Sequence, residues 1–294
     1  MFRTILVPLD GTRFAEAALP IATRLARGES SHVHLVLAHQ LVPALVGMGE
    51  FALPLTNIDE DQRSEEISYL ASTGMDLALA GVGPVEYREV DGPAGPAVCE
   101  EVTRLDADLV VMTTHGRGGV GRLWHGSVAD YVVRHLTVPV LLVHPDHGKT
   151  RSADSAFRGI LVALDLSEDS EAILEPVVEL ARITHAPVTL MHVVMEPVLE
   201  VWKDPEAPRR LDRIADRLRE RDVVVSTRVA TGIDAALTLR DALRESRFDL
   251  MAMTTHGAGG LRRLWMGSVA DKVVRSASKP VLILRPRTPL KEAQ

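Results

Sequence analysis

The sequence predicts two tandem α/β domains, each an open, twisted sheet of parallel strands with helices on its faces. Three observations predict it. Short apolar runs alternate with amphipathic runs along the chain, the pattern of strands joined by right-handed helical crossovers. The order of these runs occurs twice. The closing part of each half is also nearly the same, residues 249–286 matching 108–145 without gaps at about two dozen of roughly 38 positions. A repeat this long is a duplicated domain, since solenoid periods run roughly 20–50 residues.

In chain order, residues 5–10 form an apolar strand ending in Asp10. Over residues 13–27, Phe14, Ala17, Ala18, Ile21, Ala22 and Leu25 recur at helical spacing and predict one helix. Residues 33–39 read as the second strand and 40–60 as a long connection rich in Pro and Gly. A second helix is expected over 61–80, ended by Gly81 and Gly83-Pro84. A strand at 85–90, a helix at 95–105, a strand at 109–112, a helix at 127–135 and a strand at 138–143 complete the half. Residues 160–165 restart the order and end in Asp165, with Thr189-Leu-Met-His192 set against Leu37-Ala-His39. The expected domains are residues 1–146 and 157–288, joined by a polar linker at 147–156. The stretch 41–55 is too apolar for a simple surface loop and reads as a lid or an interface.

Composition narrows the function classes. Aromatic residues are only 4% of the 294, so the cores must be built from Leu, Val, Ile and Ala. A net charge of −7 argues against non-specific binding to nucleic acid or an anionic membrane. One cysteine, Cys99, permits no intrachain disulfide and no cysteine metal cluster, and reads as a buried, inert thiol. The first strand signal begins almost at Met1, and no apolar run approaches the roughly 18 residues of a membrane span. The expectation is a cytoplasmic protein.

The informative stretch occurs once per half: Gly116, nine residues, then Gly126-Ser127-Val128, and Gly257, nine residues, then Gly267-Ser268-Val269. It follows a strand and opens a helix. Glycines let the backbone approach a ligand closely, and a helix start offers unpaired N–H groups and the positive end of its dipole. An anion, most naturally a nucleotide phosphate, suits such a turn. The competing structural account is a capping box, because Ser127-x-x-Asp130 and Ser268-x-x-Asp271 could satisfy the helix start themselves.

Two formal motif matches fail. Gly116-x-Gly118-x-x-Gly121 has Arg262 in place of its third glycine in the second copy, and Gly121 is followed by Arg122-Leu123 rather than Lys-Ser or Lys-Thr. Asp10 and Asp165 end the first strand of each half, on the edge where open parallel sheets bind ligands. A carboxylate there can accept ribose hydroxyls or hold a metal through water; alternatively it is a turn acid ahead of Thr12 or Ser167. His115 and His256 read as loop-fixing side chains, and Trp124 and Trp265 as apolar anchors. Arg117, Arg122, Arg262 and Arg263 read equally as phosphate contacts or solvated loop cations.

These residues resemble the universal stress protein family, in particular its tandem, ATP-binding members. The resemblance covers nearly the whole chain and rests on Asp10 and Asp165, the Thr-His-Gly turn, the glycine-nine-Gly-Ser spacing and the closing Pro139-Val-Leu and Pro280-Val-Leu runs. It implies a Rossmann-like, adenine nucleotide alpha hydrolase-like fold and an intramolecular pseudo-dimer in which residues 138–143 lie against 281–284. Carried onto this chain, it implies ATP and Mg2+ as cofactors. Asp10 and Asp165 would face ribose or the metal, and the backbone near Gln40 and Val193 would face adenine. Thr113, Gly116, Arg117, Gly126, Ser127 and Val128 would surround the phosphates, as would Thr254, Gly257, Gly267, Ser268 and Val269. The chain departs from the family motif at its first glycine, which is Thr113 in one half and Thr254 in the other.

The functional expectation is therefore an ATP-binding stress-response module with one site per domain, acting as a signalling or survival factor through an unidentified protein partner. An ATP hydrolase or phosphotransferase is the second reading, weakened because the sequence shows no obvious base or lysine at the site. A nucleotide-free interaction scaffold is the third.

Overall fold

The computed structural model describes residues 2–27, 31–40, 55–114 (side chains from 59), 126–144, 157–195, 205–255 and 266–286. The chain packs as two units. One holds Phe2–Val132; the other combines Val133–His144 with the second repeat.

The first unit contains β1 (Thr4–Leu9), α1 (Arg13–Glu16), α2 (Leu19–Ala26), β2 (His32–His39), α3 (Leu55–Leu79), β3 (Val85–Asp91), α4 (Ala94–Leu105) and β4 (Leu109–Thr113). Its strands are parallel in the order β3-β2-β1-β4. Every residue of β4 is buried, as a strand covered on both faces requires, which is why it is a continuous apolar run. The sheet's first strand is anchored by an acid: Asp108 accepts the Arg3 and Thr4 N–H groups at 2.8 and 3.0 Å.

The single helix expected over 13–27 is two. Pro20 has no N–H for the Glu16 carbonyl, and its ring would collide with that carbonyl, so α1 stops and α2 restarts with proline in its first turn. The helix expected from Asp61 begins six residues earlier, at Leu55, inside the stretch expected to be a connection. Its early turns find tertiary partners on β2 and β3 that periodicity cannot show. The rest of the apolar 41–55 stretch lies outside the described residues.

The second unit takes in the end of α5 (Ser127–His135) and β5 (Val140–Val143). The second repeat then supplies β6 (Ile160–Ala163), α6 (Glu168–Glu171), α7 (Leu174–Thr184), β7 (Val188–Met195), α8 (Ala207–Arg219), β8 (Val225–Gly232), α9 (Ala235–Leu243), β9 (Leu250–Thr254), α10 (Ser268–Ser276) and β10 (Val281–Leu284). The strand order is β5-β10-β9-β6-β7-β8. All neighbours are parallel except β5 and β10, which run antiparallel with Leu282 opposite Leu141. Leu141, Leu142 and Leu282 are fully buried, and burying an aliphatic side chain of this size contributes about 1.5–3 kcal/mol. Arg285 Nη1 donates to the Arg134 carbonyl at the end of α5. Asp249 repeats the role of Asp108, accepting the Arg158 N–H at 2.6 Å and its guanidinium at 2.9 Å.

Candidate functional site

In each repeat the chain winds outward from its first strand, then returns to the other side. β1 is flanked by β2 and β4, and β6 by β7 and β9. The carboxyl edge between β1 and β4, or β6 and β9, is therefore a topological switch point, where open parallel sheets form a ligand crevice because the following loops diverge. Asp10 and Thr113 stand at the ends of β1 and β4, and Asp165 and Thr254 at the equivalent places in the second repeat.

Both acids are fixed by their own turns. Asp10 Oδ1 accepts the Thr12 N–H at 2.9 Å and the Thr12 hydroxyl at 2.6 Å. Asp165 Oδ1 accepts the Ser167 N–H at 3.0 Å and hydroxyl at 2.5 Å. Thr12 and Ser167 in turn cap α1 and α6. Thus the turn-acid role is present in both repeats, and it fixes each carboxylate just past the carboxyl end of its strand. Gly11 makes the bend between them at φ 76°, whereas Leu166 adopts φ 67° at the same place. A left-handed leucine is held there by burial and by Arg210 Nη2, which donates to its carbonyl at 2.5 Å.

The helix that follows the glycine loop is built differently from the capping-box account. Gly267 is the N-cap of α10, has no side chain to offer, and leaves Ser268 as the first helical residue, exposed. Asp271 does not reach back; it pairs with Arg275 one turn on, at 2.8 Å. The first-turn N–H groups of Ser268, Val269 and Ala270 have no acceptor within the helix, as at any helix start. In the first repeat Ser127 likewise opens α5, with the Asp130 N–H bonded to the Gly126 carbonyl. The N–H groups of the second glycines are held by the preceding strand ends: Gly126 donates to the Thr114 carbonyl at 2.6 Å and Gly267 to that of Thr255 at 2.7 Å. These bonds close the loop and set the helix axis. Gly116, Arg117 and Gly257 lie outside the described residues, as do His115, His256, Trp124, Trp265, Arg122, Arg262 and Arg263.

Thr113 and Thr254, where the sequence departs from the family motif, are the last residues of buried strands and are themselves buried. Gln40 is exposed just past β2. Val193 requires a correction. The ladder sets Ile5 opposite Val33 and Ile160 opposite Val188, so the same register puts Val193 with Ala38 and Met195 with Gln40. For the same reason His192 corresponds to Leu37, and it is Val194 that stands where the first repeat has His39. An identity-led alignment slipped by two residues, which preserves the facing of a strand and so leaves no trace in its hydrophobic pattern.

The universal stress protein family model matches residues 1–144 and again 156–285. The chain belongs to the universal stress protein family. A universal stress protein of Mycolicibacterium smegmatis is 25% identical over 295 residues, covering 96% of this chain and 97% of that protein. One from Thermus aquaticus is 34% identical over 143 residues, 49% of this chain and 99% of its own length, consistent with one repeat here. Among solved structures, a universal stress protein from Archaeoglobus fulgidus superposes with a TM-score of 0.71 at 17% identity, covering 96% of both chains. At that identity the likeness speaks for the fold. Among the described residues, no helix of this universal stress protein is long and apolar enough to cross a membrane.

One cluster of the first repeat was not legible in the sequence. His39, at the end of β2, is fully buried; its Nδ1 lies 2.7 Å from Glu66 Oε2 and its Nε2 2.9 Å from Asp59 Oδ1. Gln62 donates to Glu66 at 2.9 Å, and Arg63 reaches Asp59, Glu89 and Asp91 at 3.2, 2.6 and 2.5 Å. His39, Glu66 and Glu89 bring donor atoms within 4.8 Å of one another, but the cation Glu89 already holds is Arg63. In sequence, Asp59 falls in the stretch read as a connection and Arg63 and Glu66 in the helix expected after it, and no spacing ties them to His39. Cys99, expected to be buried, is half-buried, and burial pushes its thiol up to about 11, which leaves it a poor nucleophile.

Proposed function

We propose that this universal stress protein is an adenine-nucleotide-binding module with one ATP site per repeat, placed at the β1/β4 and β6/β9 crevices. The observation that carries the reading is the start of α10. A capping glycine without a side chain, an exposed serine at the first helical position and an acid turned away to Arg275 leave the helix start without a side-chain cap among the described residues. Helix starts of this kind favour phosphate through N–H donors and the macrodipole. Ser127 and Val128, with Ser268 and Val269, would cradle the phosphates, while Asp10 and Asp165 would take ribose hydroxyls or Mg2+ through water. Bound Mg2+ would supply charge neutralisation between the phosphates and that carboxylate. Occupancy by ATP would then be what a protein partner reads.

Calorimetric titration and thermal unfolding of nucleotide-free chain with Mg-ATP test this. Stabilisation of about 2.7 kcal/mol per site is expected at a hundredfold excess over Kd, and Gly126→Val with Gly267→Val should abolish it. The absence of both binding heat and a thermal shift at millimolar ATP would overturn the reading.

A further inference from the structure

His39 presents a problem of donors and acceptors. A neutral imidazole has one donor and one acceptor, and a carboxylate has acceptors only. Both ring nitrogens of His39 face carboxylate oxygens at hydrogen-bond distance, inside a fully buried site. Both contacts can be hydrogen bonds only if an extra proton sits on the cluster, and the imidazolium is the place that satisfies both at once. The surrounding charges agree. On α3 stand Asp59, Arg63 and Glu66; on β3, Glu89 and Asp91. On the flank nearer β1, Asp10 is bonded within its own turn, and Glu16 of α1 accepts from Tyr69. Arg24 lies on α2 and Arg27 caps that helix, the latter donating to the Ala80 carbonyl. Around the ring itself, His39 and Arg63 face four carboxylates, so the local balance favours a second cation.

We propose that His39 is a proton-dependent latch that fastens the early turns of α3 to the ends of β2 and β3 in the first repeat. With the ring protonated, Asp59 and Glu66, seven residues apart on one face of α3, are both held. When the proton leaves, one ring nitrogen points a lone pair at a carboxylate, and that contact becomes repulsive. Glu66 is buried and also held by Gln62, whereas Asp59 is part-exposed near the start of the helix. Asp59 is therefore the group that swings out, and the turns around it loosen. Burial alone would lower the His39 pKa, but Asp59 and Glu66 outweigh it and hold the ring above its ordinary 6.5. The sign follows: the latch is fully engaged below about 6.5, where even the unfolded chain's histidine is protonated, and is lost as pH rises through the higher folded-state value. The second repeat has Val194 at this register position and no such latch.

This goes beyond the nucleotide reading and is tested without ligand, by amide hydrogen exchange of the full chain at about pH 6 and about pH 9, corrected for the intrinsic rate. Protection of the amides around residues 59–66 is expected to fall several-fold at the higher pH, while α8 of the second repeat keeps its own. Asp59→Asn supplies the decisive variant. Its amide can donate to a neutral His39 Nε2 while Nδ1 donates to Glu66, so protection should become the same at both pH values. Unchanged protection in the native chain would overturn the proposal. So would an equal loss in α3 and α8, or the native pH dependence persisting in Asp59→Asn.

Discussion

Lys279 shows how much one side chain can organise. Its ammonium donates to the carbonyls of Leu243, Glu245 and Phe248 at 2.6, 2.8 and 2.6 Å, closing the C-terminal end of α9 and the turn into β9. Carbonyls at a helix end have no partner within the helix, and a cation there also meets the negative end of the dipole. The first repeat has Val138 at the equivalent place and closes α4 otherwise, with Asp106 in the left-handed conformation. Lys279→Met keeps the stem and removes the donors. A loss of about 1–3 kcal/mol is expected, read as a lower urea midpoint at unchanged slope. The same logic applies to Asp10 and Asp165: sequence position identified them, but their turn bonds to Thr12 and Ser167 show how each carboxylate is kept in place before any ligand arrives.

Between elements, the duplication provides an internal control. Gly95, in the first turn of α4, lies so close to α5 that an added Cβ would meet Tyr131 Cγ at 2.7 Å and its Cβ at 2.9 Å. The second repeat makes the complementary choice at this contact, with Ala236 on α9 and Lys272 on α10, and the lysine ends on Asp234 at 2.7 Å. Lys272 beside Asp234 holds that carboxyl below its usual range, so the cap of α9 stays ionised. Gly95→Ala is expected to destabilise by about 1–3 kcal/mol, since the base of an aromatic side chain cannot swing aside. Adding Tyr131→Lys should restore most of it, so that the two substitutions are strongly non-additive by chemical denaturation. Additive losses would show that the helices do not meet at this point.

At the scale of the whole chain, the second repeat does not form its unit alone. β10 pairs on one side with β9 and on the other with β5, contributed by the first repeat. An unpaired, fully apolar strand edge is a template for another chain. Residues 157–294 expressed without β5 are therefore expected to self-associate at micromolar concentration, and sedimentation velocity reads this directly. A monomeric, stable fragment would mean that β5 is dispensable.

Fold class and the duplication were already determined by the amino-acid order. Apolar runs such as 109–112 are strands because only a doubly covered strand is apolar on both faces, and Gly126-Ser127 and Gly267-Ser268 announce helix starts because few residues suit them. These are local signals, readable within a few residues. What the tertiary structure decided is everything that depends on register and long-range partners. The two-residue slip between Val193 and Met195 is invisible to a period-two pattern. The surroundings that raise the proton affinity of His39 arise from Asp59, Glu66, Glu89 and Asp91 converging from two distant segments. No composition or spacing reports such a convergence, because the energy of a buried charge is set by what surrounds it in space rather than by its neighbours along the chain.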